Sequence, residues 1–333
     1  MDFGLVLQTD PPASGVVSLM KRAERNGFRY GWTFDSAVLW QEPFVIYSQI
    51  LAHTQKLRVG PMVTNPGTRT WEVTASTFAT LNDMYGNRTV CGIGRGDSAM
   101  RVAGRKPNTL ARLGEAIDVI RDLAEGREAL VDGNPLRLPW VKDGELPVWM
   151  AAYGPKALAL AGEKADGFIL QLADPFLTEW MVKSVRDAAA AAGRDPAAIT
   201  ICVAAPRVRE RGPGPRPRPV PLVRRDGRQP RRRPRLPLRR ALRHGPRGTH
   251  RVRQGPPGLR LQPPRPHRKP LRRLRPRRDR RPLLPPGPGR SPHRKKLRAL
   301  RDLGVDQFAV YDMHDAKEAT IDAYGSDVIP LFS

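Results

Sequence analysis

Residues 147–171 read PVWMAAYGPKALALAGEKADGFILQ, and this stretch decides the fold. An apolar run at 147–152 ends at Tyr153-Gly154. Pro155 then opens a helix-like segment that reaches Ala165, and a second apolar run follows at 166–171. Proline suits the first helical position, where its missing N–H costs nothing. Neither apolar run alternates with polar residues. Near-continuous apolar strands are those of parallel sheets buried on both faces. The stretch therefore reads as strand, crossover helix, parallel strand.

The same alternation continues in both directions. Strands are expected at 2–8, 29–35, 57–64, 88–94, 147–152, 166–171, 199–205 and 306–311. Helices are expected at 14–27, 43–54, 71–85, 108–126, 155–165, 175–192 and 315–325. Asn26-Gly27 and Tyr85-Gly86 have the form of helix C-caps, and Asp195-Pro196 stops the helix before the seventh strand. Eight strands with seven legible helices predict an α/β fold, a (β/α)8 TIM barrel. A doubly wound sheet is the alternative, since strict alternation does not separate the two.

The missing helix falls where the composition breaks. Residues 207–296 hold 33 of the 58 Lys and Arg, 3 of the 32 Asp and Glu, 21 of the 35 prolines, and no Phe, Trp or Tyr. The whole net charge of +26 lies in this segment; the remainder is slightly acidic. Three readings compete. One is an arginine-rich segment that binds nucleic acid or another polyanion. One is a solvated, disordered insertion. The third is a reading-frame error that is later corrected, because a one-base shift in a GC-rich gene yields Arg, Pro and Gly codons. The frame error is preferred: the segment lies mid-domain and lacks the aromatics that stack on bases. On any reading it is too poor in apolar surface to form a core, and its prolines oppose helix and inner strand. The expected organisation is 1–206 for barrel strands one to seven, 207–295 for the disordered Arg/Pro-rich stretch, and 296–333 for strand eight and the terminal helix of the same domain.

Outside that stretch the chain is long enough for one large α/β domain. It opens on a strand-like run without a signal segment, and no run approaches the ~20 apolar residues of a membrane span. Cys91 and Cys202 lie in apolar runs with no metal or disulfide spacing, as reduced buried thiols would. A cytoplasmic location is the expectation.

In a barrel the chemistry collects at the C-terminal strand ends. That rule selects Gln8, Thr9, Asp35, Ser36, Thr64, Asn65, Gly94 to Asp97, Tyr153, Gly154, Gln171, Asp174, Asp312 and His314. Gly92-Ile93-Gly94-Arg95-Gly96-Asp97 would let backbone amides approach a ligand, though a tight turn accounts for it equally. Its spacing and its place at the fourth strand differ from a dinucleotide fingerprint. Tyr153-Gly154-Pro155 offers free N–H groups at a helix start, which suits a phosphate; a plain helix start looks the same. Asp35 could accept hydrogen bonds from a ligand or cap a helix. Thr64-Asn65-Pro66-Gly67-Thr68-Arg69 is a turn first. His314 reads as an ordinary surface or hydrogen-bonded histidine. No Ser-His-Asp set and no metal cluster is present in the sequence.

As a set, 30–35, 59–69, 91–97, 148–155, 165–170 and 304–308 resemble the luciferase-like monooxygenase superfamily. The likeness is to its branch dependent on coenzyme F420, and to methylenetetrahydromethanopterin reductases in particular. It covers about 1–206 and 296–330. It implies a barrel with an insertion after strand seven; here that insertion and helix seven are replaced by the Arg/Pro-rich stretch. It implies a deazaflavin coenzyme, F420, lying across the strand ends, with FMN as the alternative. A bulge at Met62–Val63, often holding a non-proline cis peptide, would back the ring, and Asp35 would bond to it. Thr64 and Asn65 would line the ring or substrate site. Gly94, Arg95, Gly96 and Asp97 would border the ring, and Asp97, in a dry pocket, would act as proton donor beside Asp35 as the second catalytic carboxylate. Tyr153 and Gly154 would give amides to the coenzyme phosphate. The implied reaction is hydride transfer to or from a small organic substrate by a homodimer. The alternatives are an FMN-dependent monooxygenase, and an inactive product or polyanion binder acting through 207–295.

Overall fold

The computed structural model describes residues 1–206 and 292–333. Expectations that fall on 207–291, the disorder and the polyanion binding among them, lie outside the described residues. The described strands are β1 (Asp2–Leu7), β2 (Tyr30–Thr33), β3 (Arg58–Pro61), β4 (Cys91–Ile93), β5 (Ala129–Val131), β6 (Asn134–Leu136), β7 (Val148–Ala151), β8 (Gly167–Leu170), β9 (Thr200–Pro206) and β10 (Gln307–Tyr311). The helices are α1 (Ala13–Arg25), α2 (Pro43–Ala52), α3 (Trp71–Tyr85), α4 (Asp97–Val102), α5 (Leu110–Ala124), α6 (Pro155–Lys164), α7 (Pro175–Ala191), α8 (Pro292–Asp302) and α9 (Lys317–Asp327).

The parallel strands run in the order β3-β2-β1-β10-β9-β8-β7-β4. The two ends of that order meet through bridges Val59–Thr89 and Thr64–Ile93. Val90 N donates to Val59 O at 2.9 Å, and Gly94 N to Thr64 O at 2.9 Å. The strands thus close in chain order into a ring, which is a (β/α)8 barrel. A doubly wound sheet would have reversed its order at a switch point.

Strand alternation sorts the side chains into two cores. Phe3, Leu5 and Leu7 of β1 and Ile201 and Val203 of β9 point outward, into the apolar layer shared with the helices. Val6, Cys202 and Ala204 point inward, to Trp32, Met62, Val90, Trp149, Ile169 and Ala309. Trp32 and Trp149, with ring centroids 5.4 Å apart, occupy space that side chains on neighbouring strands would need. A Cβ on Gly167 would lie 2.5 Å from Trp149, and one on Gly4 2.8 Å from Trp32. Trp32 Nε1 and Cys202 Sγ both donate to Gln307 Oε1, at 3.0 and 2.9 Å. Both cysteines are buried and unpaired, and burial pushes each thiol well up from its usual range. Two indoles, an amide and a thiol therefore plug the barrel at the level where β10 begins.

The first crossover is fastened by one carboxylate. Glu24 Oε1 accepts the backbone N–H groups of Gln55, Lys56 and Leu57 at 2.9, 2.6 and 2.8 Å. It ties α1 to the loop that feeds β3, and charge-assisted bonds of this kind are the stronger ones. Glu24→Gln should lower stability by about 1–3 kcal/mol, read as a reduced urea midpoint with an unchanged slope. An unmoved midpoint would show the three bonds to be replaceable by water.

The structure corrects the expected boundaries in three places. A helix absent from the expected set, α8, begins at Pro292, inside the stretch expected to be disordered, and buries Leu297 and Leu300. His293 joins it to α9 through a 2.7 Å hydrogen bond between Nε2 and the Tyr324 hydroxyl. The short helix α4 and the β5–β6 hairpin are additions. That hairpin turns on Asp132 and Gly133, both at positive φ, the conformation an Asp-Gly turn favours. No described helix is long and apolar enough to cross a membrane.

Candidate active site

The C-terminal strand ends open into a cleft of about 590 Å³. Its lining comes from several different strand ends and loops: Phe34 to Ser36, Leu39 and Trp40 after β2, Met62 and Val63 after β3, Gly94 to Ala99 after β4, Met150 to Gly154 at the end of β7 and beyond it, Gln171 after β8 and Met313 after β10. Met62–Val63 is a cis non-proline peptide, at the position the resemblance implied. Val63 lies against Gly94, where a Cβ would come within 2.9 Å of it. Met62, Val63, Gly94, Met150 and Ala151 thus supply an apolar wall.

One carboxylate is held at the edge of this cleft. Asp35 ends the run from β2, and its side chain is 1% exposed. Its Oδ2 accepts from the Thr64 hydroxyl at 2.6 Å and from Arg69 Nη1 at 2.6 Å. No other hydrogen bond to Asp35 is present among the described residues, so Oδ1 has no partner there. Arg69 also donates to Glu42 and lies 4.7 Å from the Phe44 ring centroid. Burial works against its charge, yet the bonds and charges of Asp35 and Glu42 outweigh that and raise its pKa. The Ser36 hydroxyl is buried in the same wall with no partner among the described residues.

The opposite side is a helix start. Gly154 precedes α6, and Pro155 takes its first position. No described acceptor takes the backbone N–H of Tyr153 or Gly154, and a Cβ on Gly154 would meet nothing within 4 Å. The Tyr153 hydroxyl donates to Gln171 Oε1 at 3.1 Å; burial raises the phenol's pKa. Free amides at the positive end of a helix dipole, with open space before them, suit an anionic group.

Three expected placements need correction. Thr64 and Asn65 do not line the cleft. Thr64 turns inward to Asp35, and Asn65 Oδ1 accepts from Gly67 N at 3.0 Å while its Nδ2 donates to the Thr68 hydroxyl. Asn65 lies behind the cleft wall, against Gly96, where an added Cβ would stand 2.8 Å away. Asp97 lines the cleft as the first residue of α4, but it is not in a dry pocket. Its side chain is 62% exposed and pairs with Arg101 one turn on, at 3.2 Å. Arg95 borders the cleft while its Nε donates to Asn108 O at 2.7 Å.

Other strand-end residues serve the frame. Thr9 donates to Gln41 O, and Asp174 accepts from Leu177 N as the cap of α7. Asp312 is buried and lies 3.1 Å from His314 Nε2. Sequence reasoning missed Arg69, Glu42, Trp40 and Met313 as parts of the site. Trp40 had a detectable signal, an aromatic five residues beyond a strand-end carboxylate; the Arg69 ion pairs had none.

An apolar cleft across the open end of a barrel, with a fixed carboxylate on one side and unclaimed amides on the other, is the architecture of a (β/α)8-barrel enzyme. The profile of the luciferase-like monooxygenases matches residues 1–209, and the chain belongs to that family. It is 31% identical over 209 residues to the 5,10-methylenetetrahydromethanopterin reductase of Methanolobus tindarius, a match covering 60% of this chain and 63% of that protein. It is 32% identical over 201 residues to the F420-dependent glucose-6-phosphate dehydrogenase of Mycobacterium tuberculosis, covering 54% and 60%. The solved structure of the coenzyme F420 dependent tetrahydromethanopterin reductase from Methanopyrus kandleri aligns with a TM-score of 0.53 at 27% identity. That alignment covers 61% of this chain and 65% of the other. The matched region spans between 54% and 63% of the length of the methylenetetrahydromethanopterin reductases it resembles.

Proposed function

We propose that the protein is an oxidoreductase that uses coenzyme F420 to exchange a hydride with a small organic substrate, in the manner of methylenetetrahydromethanopterin reductases. The observation that carries this is the cleft itself: an apolar wall between a fixed carboxylate and a helix start with free amides. A planar ring with a donor edge and a phosphate-bearing tail fits these three features together. The deazaflavin, when bound, supplies the hydride at its C5 carbon.

The chain's own residues orient, exclude water and handle the proton. Met62, Val63, Gly94 and Ala151 back the ring. Asp35 Oδ1 accepts from the ring edge, with Thr64 orienting the carboxylate. The amides of Tyr153 and Gly154 take the phosphate. Gly96 and Arg95 border the ring, with Asn65 fixing the turn behind Gly96. Asp97 delivers the proton, and bound ligand covers its exposed carboxylate. Phe34, Trp40 and Met313 keep water off the reacting face. A homodimer in the cytoplasm belongs to the same proposal, as does an out-of-frame origin for 207–295. Resequencing from the codon for Val203 to that for Gly304 tests that origin.

The cofactor is tested by titrating the full chain with coenzyme F420 and, separately, with FMN, following ligand fluorescence. F420 should bind at least tenfold more tightly. Preference for FMN would replace the reading with a flavin monooxygenase. Binding of neither would defeat it for the chain as it stands.

A further inference from the structure

Arg69 is one cation serving two carboxylates on two ends of the same wall. Its Nη1 reaches Asp35 Oδ2, and its Nη2 reaches Glu42 Oε1 at 2.9 Å and Oε2 at 2.6 Å. Asp35 follows β2, and Glu42 is the N-cap of α2, accepting from Phe44 N at 3.2 Å. Between them lie Ser36, Leu39 and Trp40, all of which line the cleft. The segment from 35 to 42 is therefore closed at both ends by a single guanidinium, whose side chain is 18% exposed. A planar fork with five donors can do this; an ammonium cannot bridge two carboxylates in the same fixed geometry.

Both donors to Asp35 land on Oδ2. Oδ2 is thus anchored twice, and Oδ1 of this cleft-lining residue accepts no bond among the described residues. We propose that Arg69 is a positioning residue of the site. It sets the rotamer of Asp35, so that Oδ1 meets a donor N–H on the ligand, and it holds the Trp40-bearing wall closed over the bound face. Arg69 itself touches no ligand. The setting of Asp35 and the closure of the wall are then two separable tasks of one side chain. This rests on reading the cleft as a coenzyme site only for the identity of the ligand.

Two measurements on the full chain separate the parts. Hydrogen exchange followed by mass spectrometry reports on the wall without any ligand. Arg69→Gln and Glu42→Gln should each raise exchange across residues 36–42 by about tenfold or more, leaving the peptides of β7 and β8 unchanged. Fluorescence titration with coenzyme F420 reports on Asp35. Arg69→Gln should weaken binding on the order of tenfold to a hundredfold, Arg69→Lys should restore part of it, and Glu42→Gln should weaken it less than threefold. Unchanged exchange at 36–42 in Arg69→Gln overturns the wall role. Affinity within twofold of wild type in that variant overturns the role at Asp35. If the unaltered protein takes no F420, the coenzyme reading fails, and the exchange result alone decides whether Arg69 closes the wall. A general rise in exchange across all strands would mark Arg69 as a folding residue and overturn the proposal.

Discussion

Gly92→Ala should remove a large part of the protein's stability. Gly92 lies at the seam where β3 and β4 close the ring through isolated bridges. A Cβ there would fall inside the contact radius of the Pro61 carbonyl oxygen, and one on Gly60 would do the same to that of Val90. Backbone cannot step aside as the end of a side chain can. The two strands must separate, and the closing hydrogen bonds Thr64 N to Gly92 O and Val90 N to Val59 O would be lost. Overpacking and broken ladder bonds together should cost about 3–5 kcal/mol, a large part of the stability of a domain. The measurement is a urea denaturation midpoint, with Gly15→Ala as control. Gly15 lies in α1 with nothing within 4 Å of its added carbon, so that change should stabilise by about 0.5–1 kcal/mol. Equal midpoints for Gly92→Ala and the unaltered protein would show that the seam is loose.

Asp35→Ala should weaken ligand binding in the cleft strongly while leaving a folded chain. The carboxylate is buried and holds both the Thr64 hydroxyl and the Arg69 guanidinium. Removing it strands one donor and leaves the cation to Glu42 alone, at a cost of about 2–4 kcal/mol. Affinity for coenzyme F420 should fall by about two orders of magnitude, since a hydrogen bond to a charged group contributes ~1.5–3 kcal/mol. Asp35→Asn should retain the shape and lose most of the affinity. Thermal melts read the first effect and fluorescence titration the second. Unimpaired binding by Asp35→Ala would remove this carboxylate from the site.

The barrel was readable because its strands are buried on both faces. Residues 148–151 and 167–170 have no polar face to confuse the period, and proline and glycine mark the turns between. The short elements were not readable for the opposite reason. Helix α4 is six residues long, less than two turns, and shows no repeat. The β5–β6 strands have three residues each; only Asp132-Gly133 announced them. Helix α8 was hidden because Arg294, Lys295 and Lys296 resemble the basic run before them, while Leu297 and Leu300 face the core. Within the site, chain position was legible and side-chain direction was not. Thr64 and Asn65 stand at a strand end, as the rule required, but one turns inward and the other behind the wall. Asp97 was placed at the cleft, yet its exposure depends on where α4 begins and not on its neighbours in sequence. Arg69 pairs with residues 34 and 27 positions earlier, a relation no local pattern records.

The place of β10 in the ring bears on how the protein is made. It lies between β1 and β9, with register Phe3–Phe308 on one side and Phe308–Val203 on the other. A ribosome therefore releases seven strands with two open edges before the eighth exists. Open apolar strand edges are templates for pairing with other chains, and parallel sheets are slow to assemble. Every nascent copy passes through this interval, and its length is set by the residues between Pro206 and Gln307. Yield in the cell should thus respond to translation speed across that interval, and to the chaperones that shield β1 and β9, before it responds to anything in the finished barrel.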